Sequence, residues 1–288
     1  VVEILVHGMV LSGLYAMLAL GFMLVFGVAR IMNLAHTAFF MAAAYGVFFF
    51  QVRLGWGLGP ALALTAAAVV AGGLLLLRLF VEPGREREST VLMSTLAIAI
   101  LVQEVVVRIF GGAFRTVPAT FPGYAVLWGI RVGHQELATS ALAVVALLAV
   151  WLLLWRTRLG LAIRASAQDR ETAALMGVDV VGLGRVVVAL GLVLAALAGA
   201  AVAPLYAVEP HKWTHPLVIV LAAVVLGGLG SLWGSVLGAV ILAFAEVTVV
   251  FLVPGGAYLR TGVGLLVMLM VFAVRPQGLF GARLLEER

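Results

Sequence analysis

Residues 217–252 read LVIVLAAVVLGGLGSLWGSVLGAVILAFAEVTVVFL, a run whose single ionisable side chain is Glu246. A helix rises about 1.5 Å per residue, so one unbroken helix here would measure about 54 Å, nearly twice the roughly 30 Å of a bilayer's hydrocarbon. The run has to break. Gly227-Gly228-Leu229-Gly230-Ser231 is the place, because glycine leaves helical geometry with least steric resistance. That leaves a piece of about ten residues before it, about 15 Å or half a bilayer, and a full-length piece after it.

The rest of the chain has the same character. Of 288 residues, 64% are apolar and 11% charged, and the mean hydropathy is +1.20. A soluble domain is about 45–50% apolar and about a quarter charged, so this chain carries more oily surface than one water-exposed fold can hide. Apolar runs fall at about 4–29, 31–52, 58–81, 90–110, 137–155, 186–208, 217–252 and 259–274. They lack the alternation of barrel strands, and only helices or closed barrels satisfy their backbone in lipid. The expectation is an all-α, polytopic bundle of about eight or nine membrane segments forming a single domain over 1–288. The run 4–28 is read as a retained first helix rather than a secretory signal, because Glu3 stands where a basic region belongs.

The net charge is +5. Seventeen of the eighteen basic residues are arginine, spread between apolar blocks rather than clustered, so the excess reads as membrane topology and not as a nucleic-acid footprint. Residues 82–88 hold two arginines, 156–185 hold five and the tail from Arg275 holds three, whereas 209–216 hold only Lys212. The arginine-rich stretches are expected in the cytoplasm. The loop 156–185 and the tail share a side only if the short piece before Gly227 counts as a crossing, which places the amino terminus outside and the carboxyl terminus inside.

No catalytic signature is present. A Walker A loop needs a lysine after glycine, and the one lysine lies in His211-Lys212-Trp213. There is no HExxH and no GxSxG, and zero cysteines exclude disulfides, thiolate zinc sites and cysteine nucleophiles. His211 and His215 are either helix-end caps or a weak metal candidate.

Several polar groups interrupt the apolar runs. Asn33-Leu34-Ala35-His36-Thr37 opens the second run at a second expected break, near 31–37, either as a helix cap or as the lining of a polar-solute path. Gly230, Gly234 and Gly238 recur every fourth residue, for close helix packing or for a gate. Gln103, Glu104 and Arg108 lie inside the fourth run, where Glu104 and Arg108, four apart, can form an ion pair or serve a path. Glu246 has no such neighbour and faces either protein or water. Between Arg164 and Gly177, Asp169 is a good N-cap, Glu171 suits a first helical turn and Gly177 a stop, so 170–176 reads as a two-turn helix of about 10 Å. It is too short to cross a membrane. With Ala173, Ala174 and Met176 as knobs it suits a groove of another protein, or else it is a solvated connection.

At this loop the chain resembles the LivH-type permeases of ABC importers for branched-chain amino acids. Four signatures carry the resemblance, in order: Ile31-Met32-Asn33-Leu34-Ala35-His36, Arg164-Ala-Ser-Ala-Gln168-Asp169 through Leu175-Met176-Gly177, Leu226-Gly-Gly-Leu-Gly-Ser231, and Arg275-Pro-Gln-Gly-Leu-Phe-Gly281. Thr37 departs, standing where those permeases usually carry glycine. The resemblance implies a type II-like importer permease in a bacterial or archaeal cytoplasmic membrane. Its implied partners are a second related permease, two cytoplasmic ATPases that carry the ATP and magnesium, and a periplasmic or extracellular solute-binding protein; this chain is expected to bind no cofactor and to be non-catalytic. It implies that Arg164, Gln168, Asp169, Met176 and Gly177 couple to an ATPase, and that Asn33, His36, Gly228, Gly230 and Ser231, with Thr37 beside them, lie by the path. The competing class is an ion-coupled carrier or channel using Glu104, Glu246 or His36.

Overall fold

The computed structural model describes residues 2–85, 87–127, 129–275 and 277–280. Among the described residues, six segments are long and apolar enough to cross a membrane: Val2–Ala29, Leu58–Gly84, Glu88–Phe110, His134–Arg156, Val180–Val202 and Leu232–Leu252. They contain α1 (Val2–Leu24), α3 (Leu58–Phe80), α4 (Glu88–Phe110), α5 (His134–Arg156), α8 (Val180–Val202) and α10 (Leu232–Leu252). Three shorter apolar helices complete the bundle: α2 (His36–Phe48), α9 (Thr214–Gly227) and α11 (Arg260–Val274). The loop 156–185 folds into α6 (Arg158–Gln168) and α7 (Arg170–Leu175). One small addition to the all-α expectation is an antiparallel hairpin of β1 (Tyr124–Leu127) and β2 (Ile130–Gly133) in the 111–136 connection.

The first helix is the hub. Most of α1 is buried, walled by α10, α8, α5 and α9, whereas α3, α4 and α5 keep one face outward. Those outward faces carry Leu75, Leu79, Ile109 and Val145, suited to lipid contact.

Both expected breaks are present, and each is a chain reversal. The helix α1 ends in a π-turn over Val25–Ala29, Arg30 takes a left-handed conformation at φ 55°, and α2 starts back at His36. At the second, Gly228 and Gly230 adopt φ of 100° and 99°, and α10 folds back against α9. The four-residue glycine spacing belongs to this contact only in part. A Cβ on Gly238 would fall on the Ala223 carbonyl and one on Gly234 on the Gly227 carbonyl, but Gly230 lies in the turn and faces open space. The carbonyls of Leu226 and Gly227, left without intrahelical donors at the end of α9, accept from the backbone N–H groups of Leu279 and Phe280 at 2.8 and 3.0 Å. The tail therefore caps the reversal; Pro276, Gly281, Arg283 and Arg288 lie outside the described residues.

Contacts between distant loops sort the bundle into two ends. At one, His7 approaches Glu136 at 3.4 Å, and Arg115 and Val208 exchange backbone hydrogen bonds. At the other, Arg185 bridges to Glu82 at 2.9 Å, and the tail meets Gly227. The stretches 82–85, 156–185, 227–231 and 277–280 all gather at this second, arginine-rich end.

Replacing Gly238 by leucine is expected to cost more than the about 1–3 kcal/mol usual for overpacking, because the obstacle is backbone that cannot rotate away. Gly230→Ala strains only its φ and is expected to cost about 1–2 kcal/mol. Melting temperature and monodispersity in detergent check the order; a Gly238→Leu protein that melts like the parent contradicts the packing.

Candidate transport and coupling sites

At the end opposite the arginines, a cavity of about 350 Å³ lies between α1, α9, the start of α11 and the 203–213 connection, with Tyr15, Tyr206, Lys212, His215 and Arg260 on its wall. Behind that wall the Glu246 carboxylate of α10 is fully buried. The Tyr15 hydroxyl donates to its Oε2 at 2.9 Å, the Arg260 guanidinium donates to Oε1, and His215 Nε2 stands 3.9 Å from Oε2. Four helices, α1, α9, α10 and α11, thus converge on one carboxylate. A buried charge persists only when it is paired and hydrogen-bonded, and this one is both. Arg260 keeps 37% of its side-chain surface exposed, so the cation of the cluster faces the cavity, with the His215 ring beside it on the wall.

The connection above is pinned by Gln103. Its Oε1 accepts from Trp213 Nε1 at 2.8 Å and lies 3.2 Å from His211 Nδ1. His211 and His215 accordingly take different partners. Lys212 donates to the Ala207 carbonyl and sits 5.3 Å from the Tyr206 ring; burial pulls its ammonium below the ordinary lysine range, against the opposing charge of Glu209. The expected ion pair of Glu104 and Arg108 does not form. Glu104 accepts from the adjacent Gln103 amide at 3.2 Å, a nearer partner, and Glu104 and Arg108 are both exposed.

Asn33, His36 and Thr37 sit in the seam of α1, α2 and α8, all about 1% exposed or less. Asn33 Oδ1 accepts from Ala35 N at 3.1 Å, closing the turn locally, and the His36 ring meets Phe22 edge-on. Asn33 Nδ2, both His36 ring nitrogens and Thr37 Oγ1 have no hydrogen-bond partner among the described residues. None of the three residues lines the cavity above. Ser231 caps α10, accepting from Gly234 N at 3.0 Å.

At the arginine-rich end, α7 starts and stops where its capping residues dictate. Asp169 Oδ1 accepts from Glu171 N and Thr172 N at 3.0 and 3.2 Å, and Gly177 terminates at φ 88°. The Thr172 hydroxyl first, then its N–H, hold the Asp169 carboxyl below the usual range. Of the three expected knobs, Ala174 and Met176 are exposed and Ala173 is not. Ala173 is buried against the bundle, whereas Leu175 and Met176 are 87% and 82% exposed. Helix α6, which composition leaves as a plain connection, carries Arg164 with its guanidinium 4.2 Å from the Trp155 ring. Arg164 and Gln168 line a groove of about 380 Å³ whose far wall holds Gly230, Leu232 and Trp233. The polar lever and the α9–α10 reversal therefore share one gap.

Tyr15, His215 and Arg260 escape a reading by spacing. The available signal is chemical: a lone acid in one apolar run and a lone arginine heading the next each need a partner.

A lipid-facing helical bundle with two deep reversals, a polar cavity at one end and a capped helical lever at the other defines a multi-pass membrane permease. The family described as branched-chain amino acid transport system / permease component matches residues 4–274. The high-affinity branched-chain amino acid transport system permease protein LivH of Escherichia coli (strain K12) is 28% identical, over 96% of this chain and 94% of that protein. The permease BraD of Pseudomonas aeruginosa is likewise 28% identical over the same shares, and a probable LivH of Methanocaldococcus jannaschii 25% over 96% and 92%. Among solved structures, PsaBC from Streptococcus pneumoniae in complex with Fab shares the fold, with TM-score 0.53 and 15% identity over 95% of this chain and 92% of that one. The chain belongs to the branched-chain amino acid transport permease family.

Arg260→Ala, which strands the buried Glu246 charge, is expected to cost about 3–5 kcal/mol of stability. Glu246→Gln keeps a partner for Tyr15 and leaves Arg260 access to the cavity, so it is expected to cost less. Unfolding followed by tryptophan fluorescence checks the order, and equal losses would contradict the pairing.

Proposed function

We propose that this chain is the membrane-spanning subunit of an ATP-driven importer that carries branched-chain amino acids inward across the cytoplasmic membrane of a bacterium or archaeon. It pairs with a second related permease, receives solute from a periplasmic or extracellular binding protein, and is driven by two cytoplasmic ATPases that hold the ATP and magnesium. The chain itself does no covalent chemistry. The observation that carries this reading is the groove shared by Arg164, Gln168 and Gly230, which sets α6, the helix leading into the capped α7, against the α9–α10 glycine reversal.

In this mechanism the exposed Leu175 and Met176 seat in an apolar recess of an ATPase. Asp169 and Gly177 keep α7 short and rigid, so displacement reaches α6 rather than being lost in bending. Arg164 and Gln168 transmit it across the groove to Gly228, Gly230 and Ser231, and the α9–α10 hairpin tilts. Asn33, His36 and Thr37 line the path once the α1–α2 turn opens. Asn33 Nδ2, the His36 ring nitrogens and Thr37 Oγ1 lack partners among the described residues in the closed seam, and water or a solute's polar groups satisfy them when it parts. At the other end, the cavity bounded by Arg260, His215 and Lys212 takes up the zwitterion released by the binding protein. The competing reading, an ion-coupled carrier, would have to use Glu246, whose carboxylate is paired with Arg260 and accepts from Tyr15.

With Leu175 and Met176 both changed to glutamate, the ATPases are expected to fail to co-purify. Leucine uptake in proteoliposomes is expected to fall more than about tenfold while the permease's melting temperature stays unchanged, since both side chains are exposed. Undiminished uptake, or uptake by the chain without ATPases, would overturn the coupling.

The arginine distribution supports an amino terminus outside and α7 in the cytoplasm. The natural absence of cysteine gives a clean background for labelling. A cysteine at Tyr258, which is 95% exposed, is expected to react with an impermeant maleimide added to whole cells, and one at Leu175 only after lysis. The opposite pattern would invert the topology.

A further inference from the structure

A cavity of about 200 Å³ lies between the end of α3 and the start of α8, remote from the transport cavity and lined by neither Asn33 nor His36. Its polar wall is Arg78, Arg85, Arg185 and Glu82, and its apolar wall includes Leu77 and Val188. Glu82 is already engaged: its oxygens accept from Arg185 Nε at 2.9 Å and Nη2 at 3.2 Å. Arg85 donates only to the Ala29 carbonyl, at 3.4 Å, and Arg78 has no hydrogen bond or ion pair, both among the described residues. Burial, and after it the charge of Arg170, holds the Arg85 guanidinium below its usual range. Two guanidinium groups thus face a slot whose one acid is spoken for.

The slot occupies the level where helices leave the apolar band: Arg78 is in the last turn of α3 and Arg185 in the second turn of α8. Leu75, Leu79, Phe80 and Val181 flank it as exposed apolar side chains, so its sides are greasy and its mouth is cationic. An amphiphile with an anionic head and hydrocarbon tail matches both halves, because guanidinium pairs with phosphate through directed N–H bonds and the aliphatic wall accommodates methylenes.

We propose that the slot between α3 and α8 holds an anionic phospholipid, its phosphodiester on Arg78 and Arg85 and the start of an acyl chain along Leu77 and Val188. A basic pocket between membrane helices suits such a headgroup. Because Arg170 of α7 adds to the same positive field, the lipid ties the lever to the rim of α3. This goes beyond the transport reading and is measured without transport, so the two fail separately.

The test is native mass spectrometry of the intact, delipidated permease titrated with dioleoylphosphatidylglycerol or dioleoylphosphatidylcholine. The expected result is at least about tenfold tighter binding of the glycerol lipid, lost in Arg78→Gln/Arg85→Gln and retained in Arg53→Gln. Arg78→Gln alone, at an exposed position, is expected to weaken binding with unchanged melting temperature, which separates headgroup loss from misfolding. Equal affinity for the two lipids, or undiminished binding by Arg78→Gln/Arg85→Gln, would overturn the proposal. Displacement of the lipid by millimolar inorganic phosphate would reassign the slot to a soluble anion, and displacement by added ATPase subunits would reassign it to a protein partner; either outcome overturns it.

Discussion

Hydrocarbon supplies no hydrogen-bond partner, and every departure from continuous helix in this chain is organised by that constraint. The α9–α10 reversal frees carbonyls at Leu226 and Gly227, and the tail returns from the far end of the sequence to donate to them. The α1–α2 turn closes on the Asn33 side chain. The one carboxylate buried among the described residues, Glu246, draws side chains from three other helices. The tail and the Glu246 cluster spend sequence far from the place they serve, whereas Asn33 serves its own turn. Removing the tail, for instance, would expose the end of α9 rather than merely shorten the chain.

The two ends of the bundle solve different problems. At the cavity end, charge is enclosed: Glu246 is inaccessible, and Trp213 and His211 are tethered to Gln103 of a distant helix. At the arginine-rich end, polar groups are held at the surface by local bonds, as in the Asp169 cap and the Thr157 hydroxyl that accepts from Gly160 N. Short-range caps make α6 and α7 stiff without anchoring them deeply. Stiff, shallow elements can be displaced as units, whereas a lattice of long-range buried bonds resists.

What is legible in the sequence follows the range of the interaction. Helix length against bilayer thickness is a local calculation, so the break at 227–231 can be placed from Leu217 to Leu252 alone. Caps are local too, which is why Asp169 and Gly177 bound α7 correctly. The Tyr15–Glu246 bond spans 231 positions and leaves no periodic trace. Ala173 was indistinguishable from Ala174 by composition, yet one turns toward the bundle and the other outward, because a two-turn helix has too few residues for its buried face to show as a pattern. Glu104 and Arg108 mislead in the other direction: i, i+4 spacing permits a pair but does not require it when an adjacent amide is nearer.

The placement of Glu246 constrains how the bundle can move under the proposed coupling. Tyr15 and Arg260 bind α1 and α11 to α10 near the cavity end, with His215 of α9 packed 3.9 Å away, and parting Arg260 from Glu246 would leave a charge in a medium that cannot solvate it. The opposite end of the same hairpin has no such knot: its turn rests on Gly228 and Gly230, on the cap from Ser231, and on two backbone bonds from the tail. A push delivered by α6 therefore meets low resistance at the reversal and high resistance at the carboxylate. The resulting displacement is a tilt pivoting close to Glu246, largest at the arginine-rich end of α9 and α10 and smallest beside the cavity.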